Sequence, residues 1–214
     1  MTFDVISMVP NTPPDWLTAV HNAAAALLRG AVVAYPSETV WGLAAHPQHP
    51  QAVERLYALK GRAADKPVQV SCAGVDEALH YAVPSPALSA LAPLWPGPLT
   101  LVTAARPECP AYLAPHGQVG LRVPDHPVAL ALLQLSGGAL ATTSCNRSGL
   151  PAARTWEEAV TSGLGDLVLP DGGHPAAGIA STVVLLPAGE VVREGAVSAV
   201  TLRQLLVLHE EREQ

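Results

Sequence analysis

The 214-residue sequence is poor in aromatic and charged residues and lacks several patterns that would place it in a class at once. Aromatic residues make up 4% and charged residues 14%, whereas hydrophobic residues reach 49%, so a core must be built mainly from Ala, Val and Leu. Disordered chains have the opposite balance, so this composition predicts a folded chain. No run of roughly 18 apolar residues is present, so no membrane-spanning helix is expected. No basic region followed by an apolar run marks a signal peptide.

Catalytic and metal-binding motifs are also missing. The three cysteines, Cys72, Cys109 and Cys145, have neither metal-ligand nor redox spacing, so we expect reduced thiols and a cytoplasmic protein. The eight histidines are scattered, so no protein-bound metal is expected. The patterns GxxxxGK[ST], GxGxxG, GxSxG and HExxH are absent, which argues against a P-loop, a Rossmann dinucleotide site, a hydrolase elbow and a zinc protease.

Predicted helices and strands alternate along the chain, which is typical of the α/β class. Strands after Val119 are less regularly separated by helices, so we expect a mixed sheet. The absence of a linker predicts a single domain over residues 1–214, with a core at about 12–200 and a C-terminal helix and tail at 201–214. Predicted helices cover 12–29, capped by Thr12, 50–60, 75–81, 86–94, 127–135, a segment capped by Thr155, and 201–211. Predicted strands cover 31–35, 68–71, 99–104, 119–123, 139–143, 166–169, 181–186 and 190–193.

Charge is distributed unevenly along the sequence. The net charge is −6, which disfavours non-specific nucleic-acid binding over the whole surface. From Arg55 to Arg154, however, eight basic residues face five acidic ones, so this stretch carries 8 − 5 = +3. The excess is either chance scatter or an anion site within an acidic protein.

Seven short motifs place polar residues at the ends and breaks of predicted elements. Each alone also has a structural interpretation, such as a proline turn or a cation at a helix C-terminus. Arg122 interrupts an apolar strand, where a charge is costly unless it pairs with a ligand carboxylate or with Asp125. The motifs are YPSETVWGL at 35–43, KGR at 60–62, WPGPLT at 95–100, GLRVP at 120–124, SCNRSG at 144–149, STVV at 181–184 and REG at 193–195.

The order of these motifs closely resembles that of the YrdC-like threonylcarbamoyl-AMP synthase family, over roughly Ala31 to Val197. The resemblance implies a twisted mixed sheet with flanking helices and a concave ligand cleft. It also implies an ATP-using nucleotidyltransferase that converts threonine, bicarbonate or CO2, and ATP into threonylcarbamoyl-AMP and pyrophosphate. A tRNA-modifying threonylcarbamoyl transferase complex would then use this product.

The resemblance also assigns roles to individual residues. Lys60 and Arg62 would bind the ATP phosphates and serve as the catalytic residues. Further nucleotide contacts would come from Thr100, Ser144, Asn146, Ser148 and Arg193. The amino acid would be held by Ser37, Arg122, Thr142 and Ser181, with Arg122 on the threonine carboxylate.

The chemistry agrees with this assignment. A carbamate is already an anion, so its oxygen can attack the α-phosphate without a protein nucleophile. The protein has to position the reactants and neutralise charge, which suits Lys, Arg, hydroxyl and amide groups. Mg²⁺ would arrive with ATP and be held by phosphates and water.

Three positions depart from the family pattern. Ser37 stands where many members have Thr, Ser71 where many longer members have His, and Cys145 where Ala is usual. Compared with Thr, Ser37 lacks a methyl group, and compared with His, Ser71 has a smaller side chain in the expected pocket wall. A carbamoyl-adenylate enzyme with another acceptor therefore remains an alternative. The other alternative is an RNA-binding or ribosome-associated module without this activity. Because the net charge is −6, we expect its RNA binding to be weak at most.

Overall fold

Nine strands form one mixed sheet in a computed structural model that describes residues 15–61 and 68–213. Their spatial order is β7-β1-β2-β6-β3-β5-β4-β8-β9. Three neighbouring pairs are parallel, β1–β7, β3–β5 and β4–β8, and the others are antiparallel, which confirms the mixed sheet. The strands are β1 (Val33–Tyr35), β2 (Gly42–Ala45), β3 (Gln69–Cys72), β4 (Leu99–Ala104), β5 (Gln118–Arg122), β6 (Ala139–Ser144), β7 (Leu167–Val168), β8 (Thr182–Leu185) and β9 (Glu190–Arg193).

Helices lie before β1, after β9 and in the connections β2–β3, β3–β4, β5–β6 and β6–β7, which confirms the α/β class. One short 3₁₀ turn, Ala92–Leu94, directly follows the helix Pro86–Leu91, and another, Pro115–Gly117, directly precedes β5. The α-helices are α1 (Trp16–Leu27), α2 (Pro50–Lys60), α3 (Val75–Leu79), α4 (Pro86–Leu91), α5 (Pro127–Leu135), α6 (Trp156–Ser162) and α7 (Ala199–Glu213). None of the helices in the described ranges is long and apolar enough to cross a membrane.

One face of the sheet is covered by the larger hydrophobic core. Because side chains alternate between the two faces of a strand, Leu101 and Leu121 point to this side while Thr100 and Arg122 point to the other. Leu101 and Leu121 are fully buried in a cluster that also contains apolar residues of α2, α3, α4, α6 and α7. This core therefore fixes the sheet from one side and leaves the polar residues of the same strands on the opposite side.

The opposite face is covered at one end only. There α1 and α5 pack on Val33, Tyr35, Ala44 and Leu140 in a second buried cluster. Farther along the same strands the inward-facing residues are polar or small, such as Thr142, and no helix of the described residues lies over them. An open hollow is left at this part of the sheet.

Helix starts at the two ends of the chain differ from the predictions. Helix α1 begins after Asp15, whose Oδ2 accepts a 3.0 Å bond from the Thr18 N–H, and ends at Leu27. The predicted cap, Thr12, lies outside the described residues. Helix α7 begins at Ala199, and Ser198 caps it by accepting a 3.2 Å bond from the Thr201 N–H. In both helices the capping side chain belongs to the residue immediately before the first helical one and accepts a free N–H group of the first turn.

The predictions of α2, α5, β4 and β9 are confirmed at both ends. The capping residue of α6 is also confirmed, since Thr155 Oγ1 accepts from the Glu158 N–H at 3.2 Å. Glu158 itself accepts from the Arg154 N–H, 2.7 Å away, rather than from Thr155. Strand β2 is missing from the prediction, because its apolar run was treated as the tail of the 35–43 motif.

Candidate functional site

A cleft of about 430 Å³ lies on the uncovered part of the sheet. Its floor comes from the centre of the sheet, where Gly42 and Gly120 have no side chain to fill the space. The walls come from the segment after β1, from the loop before α6 and from the segment before β8. Seven of the predicted site residues line this cleft: Ser37, Thr100, Arg122, Thr142, Ser144, Ser181 and Arg193.

Lys60 adjoins the cleft through Ser144. It is the last residue of α2, which ends because Gly61 adopts a left-handed conformation with φ of 60°. The buried Lys60 Nζ donates to Ser144 O at 2.8 Å, Ser144 Oγ at 2.9 Å and Asn146 Oδ1 at 2.7 Å. An ammonium group has three N–H donors. Lys60, Ser144 and Asn146 thus form one charged cluster at the end of β6.

Two other predicted nucleotide residues have different positions. Ser148 is exposed on the loop after β6, does not line the cleft, and gives its backbone N–H to Lys60 O at 2.8 Å. Arg62 lies outside the described residues. Asn146 does not line the cleft either, and is tied to it through Lys60 and Ser144.

Arg122 has an acidic partner that the sequence did not suggest. Its Nη2 donates to Glu38 Oε1 at 2.7 Å and to Thr39 Oγ1 at 2.9 Å. Asp125, the alternative partner considered from the sequence, is exposed and makes no ion pair with Arg122 in the described structure. Arg122 Nε is buried without a hydrogen-bond partner, whereas Nη1 has no bond and remains accessible from the cleft. One nitrogen of the guanidinium, Nη1, is therefore left for a ligand.

A chain of hydroxyl groups continues from Arg122 along the segment after β1. Ser37 Oγ is bonded to Thr39 Oγ1 at 2.8 Å and donates to Val40 O at 2.7 Å. The predicted amino-acid contact Ser37 thus also fixes Thr39, which contacts Arg122 directly.

Ser71 and Thr142 form a second hydroxyl network beside Tyr35. Ser71 Oγ lies 2.8 Å from Thr142 Oγ1 and 3.4 Å from the Tyr35 hydroxyl. Ser71 does not itself line the cleft, whereas Tyr35 and Thr142 do. Burial raises the pKa of Tyr35, so its hydroxyl stays protonated at neutral pH. The small Ser71 side chain thus holds the cleft residues Tyr35 and Thr142 in place by hydrogen bonds.

The other side of the cleft is organised by Arg193 at the end of β9. Its Nε and Nη2 donate to Ser181 O at 3.1 and 2.9 Å, and Nη2 also donates to Ser181 Oγ at 3.1 Å. Ser181 Oγ lies 2.9 Å from Thr100 Oγ1, which donates to Gln69 Oε1 at 3.1 Å. Four cleft residues are connected in this way, from β9 through the segment just before β8 to β4 and β3.

Several polar residues of the site were not predicted. Glu38, in the 35–43 motif, does not line the cleft itself but holds Arg122, which does. Arg154 lines the cleft, and its only signal in the sequence is that it belongs to the basic stretch from Arg55 to Arg154. Gln69 also lines the cleft, but a single Gln in a strand carries no signal that could identify it from the sequence.

Neither a metal cluster nor an activated thiol is visible near the cleft. Within residues 15–61 and 68–213, no group of three or more His, Cys, Asp or Glu side chains could hold a metal ion. Burial raises the pKa of the Cys145 thiol, and its hydrogen bond with Ser162 and the Lys60 charge oppose this only in part. The groups that face the cleft are suited to binding anions and polar ligands.

Comparison with known proteins places this architecture in a family. The family model described as "Telomere recombination", for Sua5, YciO and YrdC proteins, matches residues 25–195. A threonylcarbamoyl-AMP synthase of Bacillus subtilis is 36% identical over 188 residues, which is 82% of this chain and 54% of that protein. The chain thus spans about half the length of this relative. A threonylcarbamoyl-AMP synthase of Pseudomonas putida is 39% identical over 183 residues, with 82% of this chain and 97% of that protein covered.

Solved structures give the same result. P. abyssi Sua5 in complex with L-threonine superposes with a TM-score of 0.78 at 31% identity, covering 87% of this chain and 56% of that one. E. coli YciO superposes with a TM-score of 0.77 at 25% identity, covering 88% and 94%. The resemblance seen in the ordered motifs is thereby confirmed, and the chain belongs to the Sua5/YciO/YrdC family.

Proposed function

We propose that this protein is an L-threonylcarbamoyladenylate synthase. The observation that carries the proposal is the convergence of Arg122, Arg193 and the Lys60–Ser144 cluster on one cleft, although these residues are far apart in the sequence. A cleft with separate cationic groups and hydroxyl networks fits two ligands held side by side, each with an anionic group. Amino acid and nucleoside triphosphate are such a pair.

In this proposal the amino acid binds beside Arg122. Its carboxylate approaches the accessible Nη1 of Arg122, which would give a charge-assisted hydrogen bond. Ser37, Thr142 and Ser181 surround the remaining polar groups of the substrate. Curated relatives named threonylcarbamoyl-AMP synthase, and the complex of P. abyssi Sua5 with L-threonine, support threonine as this amino acid.

ATP would occupy the rest of the cleft. The Lys60 ammonium and Arg193 would balance phosphate charge, and Arg62 would add a second cation beside Lys60. Hydroxyl and amide groups of Thr100, Ser144, Asn146 and Ser148 would contribute hydrogen bonds. Mg²⁺ would enter as part of the ATP substrate, with phosphates and water as its ligands.

The reaction then requires positioning more than protein chemistry. The threonine amine combines with CO2 to give a carbamate and a proton. A carbamate oxygen attacks the α-phosphorus, the new P–O bond forms, and the bond to pyrophosphate breaks with its electron pair leaving on pyrophosphate. The cations stabilise the charge that builds up on the phosphates. A threonylcarbamoyl transferase complex that modifies tRNA would consume the product.

The test is release of pyrophosphate by the purified protein. With ATP, Mg²⁺, bicarbonate and threonine, we expect turnover that is lost without threonine and in Lys60→Ala and Arg62→Ala. Equal turnover with serine or with no amino acid would reject threonine and favour another acceptor. Salt-sensitive RNA binding without any ATP turnover would reject the synthase in favour of an RNA-binding module.

A further inference from the structure

Gln69 lies on the floor of the cleft between two groups of proposed substrate contacts. On one side its strand partner in β6 is Thr142, a proposed contact of the amino acid. On the other side its Oε1 accepts the 3.1 Å bond from Thr100, a proposed contact of ATP. In the proposed reaction, the carbamoyl group is the part of the substrate that joins the amino acid to the α-phosphate. Gln69 is thus at the place where that group must form.

Glycine in the neighbouring strand allows this arrangement. Gln69 is on β3 and Thr100 on β4, with β5 between them, and the β5 residue paired with Gln69 is Gly120. A Cβ at Gly120 would lie 3.7 Å from both Gln69 Cβ and Thr100 Cγ2. Because Gly120 has no side chain, the Gln69 side chain can pass over β5 to reach Thr100.

The amide nitrogen of Gln69 remains available. Oε1 is occupied by Thr100, whereas Nε2 has no hydrogen-bond partner among the described residues. Nε2 is not fully buried, so it is accessible from the cleft that Gln69 lines. The bond to Thr100 fixes the orientation of the amide and so directs its donor toward the ligand space.

We infer that the Gln69 amide donates a hydrogen bond to the carbamoyl oxygen of the substrate that does not attack phosphorus. This inference rests on the proposed function. Ser71, one same-face step along β3 from Gln69, pairs with Arg122. The step is about 7 Å, a span that an N-carboxylated amino acid bridges with its hydrogen bonds. A neutral donor suits this position, since a cation would withdraw more charge from the attacking oxygen.

The test compares binding of N-carbamoyl-L-threonine with binding of L-threonine by calorimetry. Gln69→Leu keeps the bulk of the side chain and removes the donor. It should weaken the N-carbamoyl compound about tenfold, the typical effect of one hydrogen bond, and leave L-threonine within about twofold. Gln69→Glu, which can still accept from Thr100, should weaken it at least as much. Gln134→Leu, on the exposed side of α5, is the matched control and should change neither.

Equal weakening of the binding of both compounds would show that Gln69 only shapes the cleft, and would overturn the inference. Unchanged binding of both compounds would overturn it as well. The measurement needs no turnover, so its failure is separate from absent pyrophosphate release, which would reject the proposed function. In an active enzyme, Gln69→Leu should also raise the KM for bicarbonate about tenfold while the KM for ATP stays within about twofold. Melting curves should show that both variants fold.

Discussion

The Nη2 atom of Arg122 lies 2.7 Å from Oε1 of Glu38. The guanidinium that we propose to receive a substrate carboxylate is thus already paired with a carboxylate of the protein. Only 7% of the Arg122 side chain and 21% of the Glu38 side chain is exposed, so the pair is largely shielded from water. Removing either partner would leave a buried charge with poor compensation.

Replacing Glu38 with Gln should therefore lower stability and increase the effect of the ligand. We expect the free energy of unfolding to fall by about 1–3 kcal/mol, because Arg122 loses a charged hydrogen bond. A threonine carboxylate should then take over as counter-ion, so saturating threonine should raise the melting temperature more in Glu38→Gln than in the unchanged protein. Glu108→Gln, an exposed control, should behave like the unchanged protein. Equal threonine-induced shifts would show that the ligand does not reach Arg122.

The shape of the Lys60 site predicts that arginine cannot replace lysine. The compact ammonium donates to three acceptors on Ser144 and Asn146. A planar guanidinium does not fit three converging acceptors, so both Lys60→Arg and Lys60→Met should reduce pyrophosphate release by about 100-fold or more. Activity of Lys60→Arg close to that of the unchanged protein would contradict a point-charge role. Melting curves would separate loss of activity from loss of fold.

Arg154 should bind the outer phosphates of ATP. Its exposed guanidinium lines the cleft and makes no hydrogen bond or ion pair in the described structure. Arg154→Met should weaken a non-hydrolysable ATP analogue about tenfold and leave AMP almost unchanged, since a charged hydrogen bond to the β- or γ-phosphate is lost. Arg147→Met is the matched control, because Arg147 is exposed on the preceding loop and does not line the cleft. If Arg154→Met weakened AMP binding as much as binding of the ATP analogue, Arg154 would not act on the outer phosphates.

Two glycines on the cleft floor should respond differently to alanine. A Cβ at Gly42 would lie 2.6 Å from the Tyr35 ring, so Gly42→Ala should destabilise the protein by about 1–3 kcal/mol through overpacking. A Cβ at Gly120 would meet its neighbours only at 3.7 Å or more. Gly120→Ala should thus fold normally but lower pyrophosphate release by filling ligand space. Urea unfolding and activity measured on both variants would test this contrast, and the reverse pattern would disprove it.

His126 should contribute to loss of stability in mild acid. Burial lowers its pKa from 6.5, opposed only in part by its bond to His174 O and by the charges of Glu38 and Asp171. The unfolded chain therefore binds more protons, so this contribution is complete above about pH 6.5 and decreases as the pH falls below it. His126→Asn should flatten the dependence of unfolding free energy on pH between about pH 5 and 7, measured by urea titration. The exposed control His21→Asn should keep the original slope, and an equal slope in His126→Asn would contradict the prediction.

Regular elements with strong end signals were predictable from the sequence. Helix α2 has Pro50 at its first turn and Gly61 after its last residue, and both ends were predicted correctly. Strand β2 was not predicted, because the residues Gly42–Ala45 carry no β-branched side chain and overlap the end of a motif with turn residues. Its assignment depends on pairing with β1 and β6, which local sequence does not encode.

Motif order and local periodicity are sufficient to predict the family, the α/β class and the types of side chain available for the site. Which of these side chains meet depends on how distant segments pair in the folded chain. Lys60 and Ser144 are 84 positions apart, as are Glu38 and Arg122, and neither pairing has a local signal. Strand order accounts for the first pairing, since β6 lies between β2 and β3 and brings its C-terminal end to α2, the helix that precedes β3. Long-range pairing and burial of the opposite face created the cleft, and a polar residue such as Gln69 gained its place in it only through that pairing.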